Sequence, residues 1–168
     1  AYEGFTYSHA SIMYNVLQEV PQMKKLVQVG IRDYCDEELQ LIRNNPDRIA
    51  TFFDKDIKEQ QFEGNTWKQI CQDIISSLPQ KVYISFDIDG LDPKLCPNTG
   101  TPVPGGFEVD HIFYLFKQLH ASGRELIGFD LNEVSSGEHS QDGIDGIVGA
   151  RVLYKMCNYM VANQDKAK

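Results

Sequence analysis

The chain has 168 residues, enough for one buried core and too few for two ordinary domains. Its 42% apolar, 11% aromatic and 24% charged residues match a chain that folds, which sets aside disordered, collagenous and coiled-coil classes. A formal net charge of −8 argues against a broad surface for nucleic acid or anionic membrane and favours a small cation as partner. Cys35, Cys71, Cys96 and Cys157 form no Cys-x-x-Cys pair and read as reduced thiols of a cytoplasmic protein. No apolar run nears the roughly 20 residues of a membrane span, and no basic-then-apolar leader is visible. The chain opens at Ala1 in a segment that reads like an internal loop, so truncation is expected.

Apolar runs alternate with amphipathic stretches, which predicts an α/β layer structure with a mostly parallel sheet. Ser8 is placed to cap a helix through Ile12, Met13, Val16 and Leu17 that stops before Pro21. Lys25 to Arg32 reads as a strand, Asp36 and Glu37 open a short helix ending near Asn44, and Ile49 to Phe53 forms a brief strand. From Thr66 to Leu78 apolar residues recur every three or four positions and predict a helix. Lys81 to Asp87 is β-branched and apolar enough for a central strand. Gly90 to Gly106 is a Gly- and Pro-rich loop without regular structure, of a length that is often functional. A helix over Glu108 to Ala121, a strand over Glu125 to Val134, a polar loop to Asp142 and a helix from about Ile144 to Val161 complete the order. Right-handed crossovers then bring the carboxyl ends of both main strands to one sheet edge, where α/β sheets bind ligands.

The sharpest chemistry lies in Asp87-Ile88-Asp89-Gly90-Leu91-Asp92-Pro93. Successive strand side chains alternate faces, so Asp87 and Asp89 share a face at the end of the strand, with Cα atoms about 6.5 Å apart. Two such carboxylates repel each other unless one is protonated or a cation lies between them, and their oxygens suit Mg²⁺ or Mn²⁺. Two other readings remain open at this point. The aspartates can be ordinary strand-end turn residues with Asp92 as a cap. An Asp-x-Asp-Gly at a strand end also fits a metal-dependent phosphatase of haloacid dehalogenase type, although Leu91-Asp92-Pro93 follows here and no clear acidic pair lies downstream.

The ungapped stretch from Ser85 to Phe107, SFDIDGLDPKLCPNTGTPVPGGF, resembles the signature of the arginase and agmatinase family of ureohydrolases. The resemblance implies a three-layer αβα enzyme in which paired manganese ions activate a bridging hydroxide to attack a guanidinium carbon and release urea. It assigns Asp87 and Asp89 as metal ligands and Thr101 as a substrate neighbour. Phe129 to Val134 (FDLNEV) resembles the family strand whose glutamate faces the guanidinium, which maps to Glu133, and Val29 to Asp33 (VGIRD) resembles a recurrent strand-end segment. A carboxylate can grip a planar guanidinium through two parallel hydrogen bonds. On residue type alone Glu133 also fits a solvated or loop-capping role. His9 stands where the family has a histidine that relays protons, work suited to imidazole near neutral pH, and helix capping beside Ser8 is the competing role. His111 and His120 read as surface or helix-end residues, and His139 has no assigned role.

The Gly-Gly-Asp-His and Asp-x-His-x-Asp segments that carry the family's other metal ligands do not occur in the sequence. Residues 1–168 are therefore expected to be the C-terminal part of a single ureohydrolase-like domain, inactive alone, with exposed strand edges that another copy or an N-terminal piece would cover. The expected intact protein is a homo-oligomeric ureohydrolase with a binuclear Mn²⁺ centre and a small guanidino substrate of the arginine or agmatine class. The alternative from a different class is a non-catalytic α/β interaction module.

Overall fold

The computed structural model describes residues 4–135 and 143–166. A 3-10 turn over His9–Ser11 leads into α1 (Ile12–Glu19), followed by β1 (Leu26–Ile31), α2 (Asp36–Asn44), β2 (Ile49–Phe53), α3 (Asp54–Phe62) and α4 (Trp67–Ser76). Then come β3 (Lys81–Asp87), α5 (Val109–Ala121), β4 (Glu125–Asn132) and α6 (Ile144–Lys166). The predicted helices and strands are all present, and the predicted polar loop to Asp142 lies largely outside the described residues. Residue chemistry accounts for several boundaries: Thr66 and Gln69 form a reciprocal cap at the start of α4, with N–H···O distances of 2.8 and 3.3 Å. Ser8 and Ser11 bind each other at the N-terminal turn.

The sequence does not announce α3. Its residues DKDIKEQQF carry little apolar periodicity, and of its two large apolar side chains Ile57 is buried whereas Phe62 is exposed. Tertiary packing of Ile57 into the main core selects the helix. His111 and His120 lie in the first and last turns of α5, as helix-end residues, but not at the open surface. Both are half-buried on α5, His111 edge-on to Trp67 at 5.2 Å and His120 against Tyr159 at 5.3 Å. Burial, helped by the Lys58 charge, holds the His111 imidazole below its ordinary pKa.

All strand pairing is parallel, as the crossovers require, but the described strands form two two-stranded sheets rather than one continuous sheet. Two-stranded sheets are marginal alone. Here one core joins them: Ile57, Ile70, Ile74, Phe86, Ile112, Phe116, Val148, Val152 and Met156 from strand and helices surround Ile88, Leu91, Cys96 and Phe107 from the long loop, with Val27, Val29 and Phe52 packed against it. The loop predicted to lack regular structure is thus anchored inside. A 3-10 turn over Ile88–Gly90 leads into it, another over Pro93–Leu95 lies within it, and a parallel bridge between Leu91 and Phe107, just beyond its end, closes it.

The closure depends on Gly30. It sits at a register shift in β1, between Val29 opposite Phe52 and Ile31 opposite Phe53, with φ at +84°. A Cβ there would lie 2.4 Å from the Phe107 ring, so both backbone conformation and space demand glycine. Gly30→Ala should destabilise the fold by about 2–4 kcal/mol through backbone strain and overpacking. Urea unfolding followed by Trp67 fluorescence checks this, and an unchanged midpoint would contradict the seating of Phe107 on Gly30.

Candidate active site

Alternation along β3 buries Val82 and Phe86 and turns Lys81, Tyr83, Ser85 and Asp87 outward. The outward face continues across the sheet at its carboxyl end, where the Ser85 hydroxyl donates to Asp130 Oδ1 at 2.8 Å and Asn132 donates to the same oxygen. Asp87 is the last strand residue. The strand does not extend to Asp89 as the alternation argument assumed, because the Asp87 carboxylate accepts the Asp89 N–H at 3.1 Å and bends the chain into the 3-10 turn. The turn role and the clustering of carboxylates are therefore the same feature. Asp92 likewise caps the next turn through Lys94 N–H at 3.0 Å.

Thr101 lies beside this pair, with its hydroxyl donating to Asp89 Oδ2 at 3.0 Å. Glu133 does not belong to β4, which ends at Asn132. It adopts φ of +60°, the left-handed region, and is alone among the described non-glycine residues in doing so. Its carboxylate lies over Gly100, where a Cβ would stand 3.0 Å from Oε2. Partial burial of the Asp87 carboxyl, opposed by the Asp89 N–H bond and reinforced by the charges of Asp89 and Glu133, pushes Asp87 up to about 6. The structure thus gathers Asp87, Asp89, Thr101 and Glu133 at the carboxyl ends of β3 and β4. His9 is exposed on the N-terminal turn. His139 lies outside the described residues.

Residues that site reasoning passed over hold this cluster in place. Arg32, at the end of β1, gives its donors to four carbonyl oxygens: Val103 at 3.2 Å, Gly30 at 3.3 Å, Gly90 at 3.4 Å, and Asp89. Asp145, wholly buried in the first turn of α6, accepts from the backbone N–H and the side-chain amide of Asn98 at 3.0 and 2.8 Å. Asp54, also buried, accepts from Gly106 N–H at 3.4 Å. VGIRD was visible as a motif, but a guanidinium spent on carbonyls has no sequence signal.

The sequence pattern of the Arginase family matches residues 1–158. The chain belongs to the arginase family. An N(1)-aminopropylagmatine ureohydrolase of Thermus thermophilus is 36% identical over 135 residues, covering 80% of this chain and 41% of the relative. The corresponding enzyme of Synechocystis sp. is 31% identical, covering 98% of this chain and 49% of the relative. Among solved structures, a hypothetical agmatinase from Burkholderia thailandensis superposes with a TM-score of 0.76 at 28% identity, over 96% of this chain and 46% of that one. This arginase-family chain therefore spans about half the length of the curated relatives it matches, and its α/β fold, parallel strands layered with helices, is arginase-like.

The raised Asp87 pKa has a definite consequence for the metal-free protein. Between the ordinary value of 3.8 and the folded value of about 6 the folded state binds more protons, so stability falls as pH rises through that window and stays lowered above it. After allowance for solvent screening the loss is on the order of 1 kcal/mol. In EDTA-treated protein, Asp87→Asn should gain stability relative to the parent as pH rises from about 4 to 7. A parent–variant difference independent of pH in urea melts would contradict the raised Asp87 pKa.

Proposed function

We propose that the intact protein is a manganese-dependent ureohydrolase that cleaves a linear guanidino amine of the agmatine class to urea and the corresponding amine. The observation that carries this reading is the convergence of Asp87, Asp89 and Glu133 in a chain of the arginase family. The relatives named for aminopropylagmatine and agmatine favour an amine over arginine as substrate. Family membership disfavours the phosphatase reading, and the acidic cluster disfavours a module without chemistry.

The two aspartates fit part of a hard-cation shell. They offer charged oxygen ligands, and burial together with the neighbouring carboxylates raises the Asp87 pKa, a cost that a cation would relieve. Among the described residues no group of three or more His, Cys, Asp or Glu side chains forms a complete site, so further ligands are required. When bound, a binuclear Mn²⁺ centre supplies Lewis-acid activation of water at neutral pH. Asp87 and Asp89 would hold the cation, and Thr101 orients Asp89 through its hydroxyl. Glu133 receives the guanidinium by paired, charge-assisted hydrogen bonds and fixes its plane. His9 carries a proton to or from the departing amine. Mn²⁺ binding by a cytoplasmic homo-oligomer with free cysteines completes the proposal; all four thiols are free, and among the described residues no helix is long and apolar enough to cross a membrane.

In protein extended by the upstream residues, Asp87→Asn or Asp89→Asn should lower retained manganese by about tenfold or more, through loss of an anionic ligand. Unchanged metal content by mass spectrometry would refute the ligand assignment. Glu133→Gln should cut urea release from agmatine by about 100-fold while leaving manganese near the parent level; parallel loss of both would make Glu133 a metal-site residue. Urea release from agmatine or arginine by a purified chain of only these 168 residues with added Mn²⁺ is expected to be absent, and robust turnover would overturn the account of the missing ligands.

A further inference from the structure

Four consecutive loop residues each engage a different part of the site. Asn98 is clamped by the buried Asp145 of α6 through two hydrogen bonds of 3.0 and 2.8 Å. Thr99 is 5% exposed, and its hydroxyl donates to the backbone carbonyl of Glu133 at 3.1 Å. Gly100 lies beneath the Glu133 carboxylate, and Thr101 donates to Asp89. Glu133 holds the left-handed conformation that a non-glycine residue leaves unless its surroundings restrain it. After Glu133, Val134 packs on Gly149 of α6, where a Cβ would be 3.0 Å from Val134 Cγ1. The peptide of Glu133 is therefore held from one side by Thr99 and from the next residue by α6.

We propose that Thr99, fixed in place by the Asn98–Asp145 clamp, is a positioning residue that locks the left-handed backbone of Glu133 and so aims its carboxylate across Gly100 toward the Asp87–Asp89 pair. The hydroxyl does this by donating to the one backbone oxygen that would swing away if Glu133 relaxed to an extended conformation. It takes no part in bond making. The functional consequence rests on the reading of Glu133 as the guanidinium acceptor, whereas the backbone consequence does not.

Three measurements test it in the protein extended by the upstream residues, with agmatine and Mn²⁺ as probes. Thr99→Val keeps shape and removes the donor; it should lower kcat/KM by about 10–100-fold, the scale of a misaimed binding group, with manganese content unchanged. Thr99→Ser restores the donor and should recover activity to within about threefold of the parent. A crystal structure of Thr99→Val should show Glu133 outside the positive-φ region. Retention of positive φ there, or Thr99→Ser behaving no better than Thr99→Val, would overturn the proposal. Should Glu133→Gln turn over like the parent, the guanidinium reading fails, while the φ of Glu133 in Thr99→Val still decides the positioning claim. If Thr99→Val is too unstable to crystallise, a thermodynamic cycle with Glu133→Gly replaces it, because glycine needs no restraint at positive φ. Thr99→Val should then shift the urea midpoint less in the Glu133→Gly background than in the parent, and equal shifts would refute the lock.

Discussion

The contact between the Phe107 ring and the bare backbone of Gly30 is the joint on which the site depends. It presses the end of the long loop against β1, while Leu91 and Phe107 bridge to close the loop. Gly106 completes the joint: at φ +90° it lets the chain pass so near Leu91 that a Cβ would stand 2.6 Å from its carbonyl carbon and oxygen. Once Ile88, Leu91, Cys96 and Phe107 are inside, the polar residues between them, including Asp89, Asn98 and Thr101, have their positions set from below. Function and folding therefore share one core, and a packing defect there displaces carboxylates.

Electrostatics follow from how the nearby cation is used. Arg32 reaches the site, yet its guanidinium is taken by the carbonyls of Gly30, Asp89, Gly90 and Val103. It stiffens the loop backbone, and among the described residues its hydrogen bonds go to carbonyls. Burial of the Asp87 carboxyl lifts it to about 6, and the charges of Asp89 and Glu133 add to that rise. In the proposed metal centre, a cation bound between these carboxylates would restore the stability that their crowding costs.

The two sheets explain why that acidic end lies open. β3 and β4 bury one face against α5 and α6, while the other exposes Tyr83 and Ile127, at 56% and 50%, next to the polar ladder of Ser85, Asp130 and Asn132. Among the described residues every strand has one unpaired edge. Parallel sheets are usually covered on both faces, and the exposed face is continuous with the side on which Asp87 projects.

The sequence by itself determined the strands, most helices and the family. Periodic burial writes apolar residues at helical or strand spacing, and the Ser85–Phe107 stretch carries its chemistry in consecutive residues. Even so, its local logic misjudged two details. Alternation placed Asp89 on a strand that Asp87 ends by capping a turn, and it placed Glu133 within β4 although the residue turns left-handed after it. The tertiary structure alone decided that α3 is a helix, that His111 and His120 are packed rather than exposed, and that Arg32, Thr99 and Asp145 support the site from elements distant in the chain. The physical reason is common to these cases: each depends on a partner distant in the chain, and no periodicity in one segment records a contact made to another.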